Sequence, residues 1–221
     1  MKPDRDKSGP TAGGVPRTVV VDFDGTITEV DLLDEIARRF GDPAVYRELD
    51  EALDRRALTL REVITREFAP VRAPLGEVVA WVLENARVRP GFRELVELAR
   101  ERGWRLVVLS SSFVELIEPV LAREGVEVEL RANRVDPDPT GWRVLWRDEM
   151  VCPECGEACK RSALPDDGEI VYVGDGISDR CAALASDRIF ATRGLARYLD
   201  ERGVRYEPFD DFFDVAAALS R

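Results

Sequence analysis

The segment from Thr18 to Thr28 constrains the fold of this chain more than any other stretch. It reads T-V-V-V-D-F-D-G-T-I-T, and three consecutive valines followed by Gly25 predict a short buried strand that ends in a turn. β-Branched residues fit a strand that is covered on both faces. Asp22 and Asp24 come at the end of this strand, where ligands bind in open α/β sheets. Two neighbouring carboxylates repel each other, and Mg²⁺, which prefers oxygen ligands, relieves that repulsion.

The same pattern, a buried strand that ends on polar residues, recurs twice further along the chain. R-L-V-V-L-S covers 105–110, and I-V-Y-V-G-D-G covers 170–176. Strands that alternate with helices predict a parallel sheet, and the carboxyl ends of its strands then share one edge. We therefore expect the polar residues at these ends to converge on one crevice. They are Asp22, Asp24, Ser110, Ser111, Lys160, Asp175 and Asp179.

The region 30–89 carries only helical patterns. Apolar residues recur there at helical spacing, and Thr59 with Glu62 three residues later matches a capping box. About sixty residues of helix inserted after the first strand predict a lid over its carboxyl end. The remaining regions, 17–29 and 90–221, carry the alternation of strands and helices and are expected to form the core domain.

Charge and composition narrow the classes of function. The 221 residues include 32 basic and 43 acidic ones, a net charge of −11, which argues against nucleic acid or an anionic membrane as a partner. No apolar run is long enough to span a membrane. Residues 1–16 lack the apolar core of a secretory signal, so we predict a flexible tail and a cytoplasmic protein. The chain has no histidine, which excludes Ser-His-Asp and Cys-His catalysis and leaves acid–base work to other side chains.

The four cysteines are Cys152, Cys155, Cys159 and Cys181. Three of them cluster, which suits a metal or redox site better than a disulfide framework. The spacing of Cys152 and Cys155 is that of a zinc knuckle, and the other two cysteines would complete a tetrahedral Zn²⁺ site. An oxidisable thiol pair and ordinary packing of free cysteines are the alternatives, and the sequence leaves all three open.

In order and spacing, these segments resemble the motifs of the haloacid dehalogenase (HAD) superfamily. D-F-D-G-T corresponds to motif one, Ser110 to motif two, Lys160 to motif three and G-D-G-I-S-D to motif four. The resemblance implies a Rossmann-like three-layer α/β core with a parallel sheet and a helical C1-type cap. A-N-R at 132–134 resembles the phosphoserine-phosphatase-like subfamily IB. C-G-E-A-C-K and D-R-C-A resemble its branch of methionine-salvage (MtnX-like) phosphatases.

The resemblance also implies a phosphatase mechanism. Asp22 would be the nucleophile that forms an aspartyl-phosphate, and Asp24 would protonate the leaving alcohol and then activate water. Lys160 would offset charge on Asp22 and on the transferring group. Ser110 and the backbone N–H of Ser111 would bind the phosphate. The implied Mg²⁺ ligands are Asp22, the backbone carbonyl of Asp24, and Asp175, with Asp179 nearby.

The expected substrate is a small phosphorylated metabolite, such as a methionine-salvage sugar phosphate, with phosphoserine as the alternative. Phosphoserine phosphatases carry an acid after motif one and an arginine in a cap helix. Here Glu29 and Asp31 follow motif one, and Glu67 falls at the arginine position with Arg66 beside it. A carboxylate there argues against phosphoserine, although a one-residue slip would restore the arginine. A phosphotransferase and a non-catalytic binding module are further alternatives, and the sequence leaves the oligomeric state open.

Overall fold

A computed structural model describes residues 17–221, so the predicted tail at 1–16 lies outside the described residues. Within the described range the chain forms one seven-stranded sheet with helices on both of its faces. The strands are β1 (Arg17–Val21), β2 (Arg105–Phe113), β3 (Glu129–Asp136), β4 (Arg143–Leu145), β5 (Glu169–Gly174), β6 (Arg188–Ala191) and β7 (Glu207–Pro208). The helices are α1 (Leu32–Phe40), α2 (Pro43–Asp54), α3 (Leu60–Phe68), α4 (Leu75–Asn85), α5 (Phe92–Glu101), α6 (Val114–Arg123), α7 (Arg180–Leu184), α8 (Arg193–Asp200) and α9 (Phe212–Leu219).

Strand β1 lies at the centre of the sheet, in the order β4-β3-β2-β1-β5-β6-β7. All neighbouring pairs are parallel except β3 and β4, which form an antiparallel hairpin. Val19 and Val21 pack into the core on one face, while Val20 packs on the other against α7 and α8, because successive side chains of a strand point to opposite faces. The predicted three-layer α/β fold is confirmed.

Some elements differ from the sequence prediction. The apolar pattern of the sequence predicts a strand at Val126–Leu130, but the third strand covers Glu129–Asp136. Strand β2 also continues past Ser110 to Phe113. Both shifts have one cause: Phe113 pairs with Asn133, so polar residues enter the sheet through backbone hydrogen bonds that the apolar pattern does not report. Helix α8 and the two-residue strand β7 have only short apolar signals, and the sequence did not predict them.

The region between β1 and β2 is helical, as expected, and α3 begins with the predicted capping box of Thr59 and Glu62. Its two connections to the sheet meet at an isolated antiparallel bridge between Thr28 and Val88. At the end of α3, the Phe68 ring packs edge-on against Phe113, with 4.8 Å between ring centroids. Helices α1–α4 therefore rest on the carboxyl end of the sheet. The domain boundaries at 29/30 and 89/90 stay a prediction.

Candidate active site

The carboxyl ends of β1, β2 and β5 bring the predicted polar residues to one edge of the sheet. Asp22 directly follows β1, and its backbone N–H donates to the carbonyl of Val173 in β5 at 2.9 Å. Ser110 lies within β2 and Asp175 directly follows β5. The convergence arises because parallel neighbours of one central strand all end on the same side.

Lys160 is buried between two carboxylates. Its Nζ donates to Asp22 Oδ1 at 2.5 Å and to Asp179 Oδ1 at 2.7 Å, and the lysine is only 2% exposed. Burial alone would lower the lysine pKa, but the charges of Asp179 and Asp22 raise it above its ordinary value. Burial, together with the charge of Asp179, raises the pKa of Asp22, and Lys160 opposes that rise. The ammonium therefore compensates the two buried acids.

Asp179 is held by four donors. Its Oδ1 accepts from Lys160 and from the hydroxyl of Tyr172 at 2.8 Å, and its Oδ2 accepts from the backbone N–H groups of Asp175 and Gly176 at 2.9 and 2.8 Å. A saturated carboxylate of this kind fixes the loop that carries Asp175.

Asp175 faces the loop that follows β1. Its Oδ1 accepts from the Thr26 hydroxyl at 2.9 Å, and burial followed by the charge of Asp179 raises its pKa to about 6. Gly25 adopts a φ of +76°, and a Cβ atom at this position would lie 2.4 Å from Asp175 Oδ2. Glycine is thus required for both conformation and space.

Asp24 lies on the turn beyond β1. Its Oδ1 accepts from the backbone N–H of Leu33 at 3.2 Å, and its Oδ2 lies 3.2 Å from the Ser110 hydroxyl, which donates to it. The backbone N–H of Ser112 donates to the same hydroxyl at 2.9 Å. Burial, followed by the charge of Asp31, raises the pKa of Asp24 to about 8.

The serine segment is anchored from the next strand. Asn133 is buried, and its Nδ2 donates to the carbonyl of Ser111 at 2.7 Å. The Oδ1 of the same side chain accepts from the backbone N–H of Arg147 at 3.1 Å. Asn133 therefore couples the backbone of the serine segment to the segment that follows the hairpin.

Two adjoining cavities open over these residues. The smaller one, of about 230 Å³, contains Asp22, Asp24 and Ser110, and the larger groove, of about 650 Å³, reaches Lys160 and Trp146. They share several lining residues, Ser111 among them. Within residues 17–221 no lysine or arginine lines the smaller cavity. Its helical wall is instead acidic, formed by Asp31, Asp34, Asp50, Asp54 and Glu67.

Of the residues expected to select the substrate, Asp31 lines the smaller cavity and also caps α1, while Glu29 is exposed outside both cavities. Arg66 points away: its side chain is 54% exposed and lies 3.9 Å from Glu62 on the surface of α3. Glu67 is only 6% exposed and lines the cavity. The structure therefore brings the glutamate, and not the arginine, to the cavity.

The four cysteines also come together. Cys152, Cys155 and Cys159 belong to the segment before Lys160, and Cys181 is the second residue of α7. Their sulfur atoms all lie within 4.8 Å of one another.

Several residues that hold the site were not singled out from the sequence. In the sequence, Thr26 belongs to the D-F-D-G-T motif and Tyr172 to the strand I-V-Y-V-G, and each places a hydroxyl near a carboxylate. Asn133 belongs to the A-N-R segment. The chemistry of these side chains becomes visible only through the partners that the fold supplies.

Within the described residues, no helix combines the length and the apolar character that crossing a membrane requires.

Comparisons with known proteins agree with this geometry. The sequence profile described as haloacid dehalogenase-like hydrolase matches residues 19–184. A 2-hydroxy-3-keto-5-methylthiopentenyl-1-phosphate phosphatase of Geobacillus kaustophilus is 32% identical over 209 residues, which cover 90% of this chain and 94% of that protein. The bifunctional enzyme MtnB/MtnX of Bacillus licheniformis is 31% identical over 211 residues, which cover 91% of this chain and 48% of that protein.

Among solved structures, a phosphoserine phosphatase from T. onnurineus has a TM-score of 0.66 and 24% sequence identity, and the match covers 92% of this chain and 94% of that one. This likeness supports the fold. The predicted resemblance to methionine-salvage phosphatases is confirmed by the curated relatives. With three-quarters of its length matched by the family profile (166 of 221 residues), the chain belongs to the haloacid dehalogenase-like hydrolases.

Proposed function

We propose that this hydrolase is a Mg²⁺-dependent phosphatase that cleaves the phosphate monoester of a small metabolite through an aspartyl-phosphate on Asp22. The observation that carries the proposal is the buried group of Asp22, Lys160 and Asp179, with Asp175 beside it, at the carboxyl end of the central strands. Asp22 and Asp175 of this group line a cavity large enough for a small ester.

The carboxylates fit a magnesium ion. Oxygen atoms of Asp22, Asp175 and Asp179 lie within 4.8 Å of one another, and burial with mutual repulsion raises the pKa of both Asp22 and Asp175. Because Asp179 already accepts four hydrogen bonds, Asp22 and Asp175 are the side chains that we assign as ligands, together with the Asp24 carbonyl. When bound, the ion screens the negative nucleophile from the negative phosphate.

The remaining steps use this chain's own groups. Asp22 Oδ1 accepts from Lys160 and from the backbone N–H of Phe23 at 2.7 Å, whereas Oδ2 accepts no hydrogen bond from residues 17–221. Oδ2 attacks phosphorus, the bond from phosphorus to the ester oxygen breaks, and Asp24 gives its proton to the leaving alcohol. Asp24 then takes a proton from the water that attacks the aspartyl-phosphate, which releases inorganic phosphate and restores Asp22.

Ser110 and Ser111 are proposed to hold the phosphate oxygens. The Ser110 hydroxyl is buried beside Asp24, and Ser111 lines both cavities. Asn133 keeps the Ser111 carbonyl turned toward β3, and Lys160 stabilises negative charge on the transferring group.

For the substrate, we propose an ester of the kind named for the curated relatives, with no carboxylate at the end away from the phosphate. The aspartates of the acidic wall carry this choice, because they would repel a carboxylate on the substrate, and the cavity-facing Glu67 supplies no positive charge to bind one. Arg66 is exposed and lies beside Glu62. It therefore does not supply the arginine that would bind the substrate carboxylate in the phosphoserine alternative.

The test is phosphate release from a panel of esters with and without Mg²⁺. The panel pairs phosphoserine with phosphoethanolamine, which differ only in the carboxylate, and adds a methylthiopentenyl phosphate, pyridoxal phosphate and p-nitrophenyl phosphate. We expect Mg²⁺-dependent release that Asp22→Asn abolishes, and a higher kcat/KM for phosphoethanolamine than for phosphoserine. Glu67→Arg should reverse that order, while Arg66→Ala, on the surface of the same helix, should leave it unchanged.

The opposite outcomes separate the alternatives. A preference for phosphoserine in the unaltered chain would contradict the substrate proposal and leave the mechanism intact. No release from any ester by a folded, Mg²⁺-loaded protein would instead favour phosphotransfer or a binding module.

A further inference from the structure

The cysteine cluster takes no part in the proposed chemistry, but three of its members, Cys155, Cys159 and Cys181, line the larger cavity. All four cysteines of the chain contribute to it. Three come from the loop between β4 and the short turn that begins at Lys160, and the fourth comes from α7. Their mutual sulfur distances are within 4.8 Å, although Cys155 is exposed and Cys152 is buried. A thiol packed only to fill a core would not sit on the surface beside three others.

The loop has the geometry of a metal-binding turn. The N–H of Cys152 donates to the Glu157 carbonyl at 2.8 Å, and the N–H of Gly156 donates back to the Cys152 carbonyl at 2.9 Å. Gly156 adopts a φ of +76°, which lets the chain reverse directly after Cys155. This tight turn brings the sulfur atoms of Cys152 and Cys155 within 4.8 Å of each other.

The distances and ligand types select the ion. A tetrahedral zinc ion with Zn–S distances of about 2.3 Å holds its sulfurs about 3.8 Å apart, so a small contraction of the observed cluster is sufficient. Four thiolates are soft ligands, which favour zinc over magnesium or calcium. Four protein ligands also leave no position open for water, and a closed site of this kind is structural.

We propose that Cys152, Cys155, Cys159 and Cys181 bind a structural Zn²⁺ ion that joins the loop before Lys160 to helix α7.

Its position gives the ion a positioning role. Cys159 immediately precedes Lys160, and Cys181 comes two residues after Asp179. Lys160 and Asp179 form the buried ion pair of 2.7 Å, so the zinc ligands flank both of its members. The ion therefore fixes the two backbone segments whose side chains must meet beside Asp22. This inference does not depend on which ester the enzyme cleaves.

The first experiment measures metal content. Protein purified without chelator is analysed by mass spectrometry of its metals, and released zinc is followed with a dye while a mercurial titrates the thiols. We expect one zinc per chain, released as the four thiols react. Replacement by Co²⁺ should give the absorption of a tetrahedral tetrathiolate site. A folded protein with four reactive thiols and no zinc, or with iron in its place, would overturn the proposal.

Variants locate the site. Cys155→Ser and Cys181→Ser should lose zinc, while Glu154→Gln, on the same loop, should keep it. Asp22→Asn should also keep it, which separates this site from the catalytic one. Because a cysteine substitution can impair folding without any loss of metal, zinc-depleted unaltered protein provides the second measurement. With Mg²⁺ present in both samples, the zinc-depleted protein should melt at a lower temperature than the zinc-loaded protein, and its melting temperature should recover when zinc is returned. Equal melting temperatures for the two samples would count against a structural zinc ion.

Discussion

At the scale of single residues, the site depends on side chains that take no direct part in the proposed chemistry. Asp179 accepts from Lys160, Tyr172 and two backbone N–H groups, which uses its hydrogen-bonding capacity within the protein. A buried carboxylate that is held in this way orients its neighbours, since any movement would leave a charge without partners. Asp179 therefore fixes the positions of Asp175 and of the Lys160 ammonium.

Tyr172→Phe tests this network. The change removes one donor to the Asp179 carboxylate and fills the same space, so we expect a loss of about 1.5–3 kcal/mol in the free energy of unfolding. Urea denaturation measures it. Tyr206→Phe is the matched control, because its hydroxyl bonds to Asp200 at 3.2 Å in a more exposed setting, and it should change stability by less than about 0.5 kcal/mol. Equal losses for the two variants would refute a special role for Tyr172.

Glu67 predicts a pH dependence of stability. Burial raises its pKa to about 8, and Asp34, Asp50 and Asp31 add to the rise while Arg38 opposes it.

The folded state therefore holds the Glu67 proton up to about pH 8, whereas the unfolded chain loses it near pH 4.3. Stability should fall as pH rises across that window, because the folded state binds more protons than the unfolded one. Glu67→Gln has no proton to lose. Its stability relative to the unaltered protein should increase between pH 5 and pH 9 in chemical denaturation, while exposed Glu77→Gln shows no such trend. A constant difference for Glu67→Gln would exclude this effect.

At the scale of elements, two loops fit into each other at the end of the sheet. The loop after β1 places Thr26 against Asp175 and leaves no room for a side chain at Gly25. The loop after β5 is held by a hydrogen bond from the backbone N–H of Asp175 to the Asp179 carboxylate. The proposed ligands Asp22 and Asp175 thus owe their separation to backbone shape, and a single added carbon is enough to disturb it.

Gly25→Ala measures this fit. The new Cβ would require a strained φ of +76° and would lie 2.4 Å from Asp175 Oδ2, so the carboxylate must move. We expect kcat to fall by about 10²-fold, as small misplacements of reacting groups do. Gly76→Ala in α4 is the control, since its Cβ would meet nothing within 4 Å, and it should keep full activity. A kcat for Gly25→Ala equal to that of the unaltered protein would show that the loops can accommodate a side chain at this position, contrary to the prediction.

Motif residues were predictable from the sequence because each is tied to the end of a strand with a strong apolar signal. Asp22 follows three valines, and Asp175 follows I-V-Y-V-G. The offset of β3 was not predictable, because its polar residues join the sheet through a neighbour in β2. The outward turn of Arg66 was equally hidden: one residue along a helix rotates a side chain by about 100°, and sequence spacing alone leaves that choice open.

At the scale of the whole molecule, ion binding and global stability are linked. Acidic side chains brought together from the ends of β1 and β5 repel each other in the folded state alone, so a cation that binds there stabilises that state by mass action.

Mg²⁺ at a hundred times its Kd should add about 2.7 kcal/mol to the free energy of unfolding. For a chain of this size, that corresponds to a rise in Tm of about 5 to 10 °C. Asp175→Asn should abolish the response in a thermal shift series, while Asp166→Asn, at an exposed position, should retain it. Identical melting curves with and without Mg²⁺ would argue against the ion at this site.

The central place of β1 also sets the order of events during synthesis. Its partners begin at Arg105 and Glu169, so the first strand leaves the ribosome long before either neighbour exists. At about 5–20 residues per second, the wait for β5 is on the order of 10 s. During that time the three valines of β1, which are buried in the folded sheet, are not yet covered by the neighbouring strand β5. A nascent chain that ends before Asp179 therefore lacks part of the proposed active site and leaves apolar strand surface exposed, which favours aggregation.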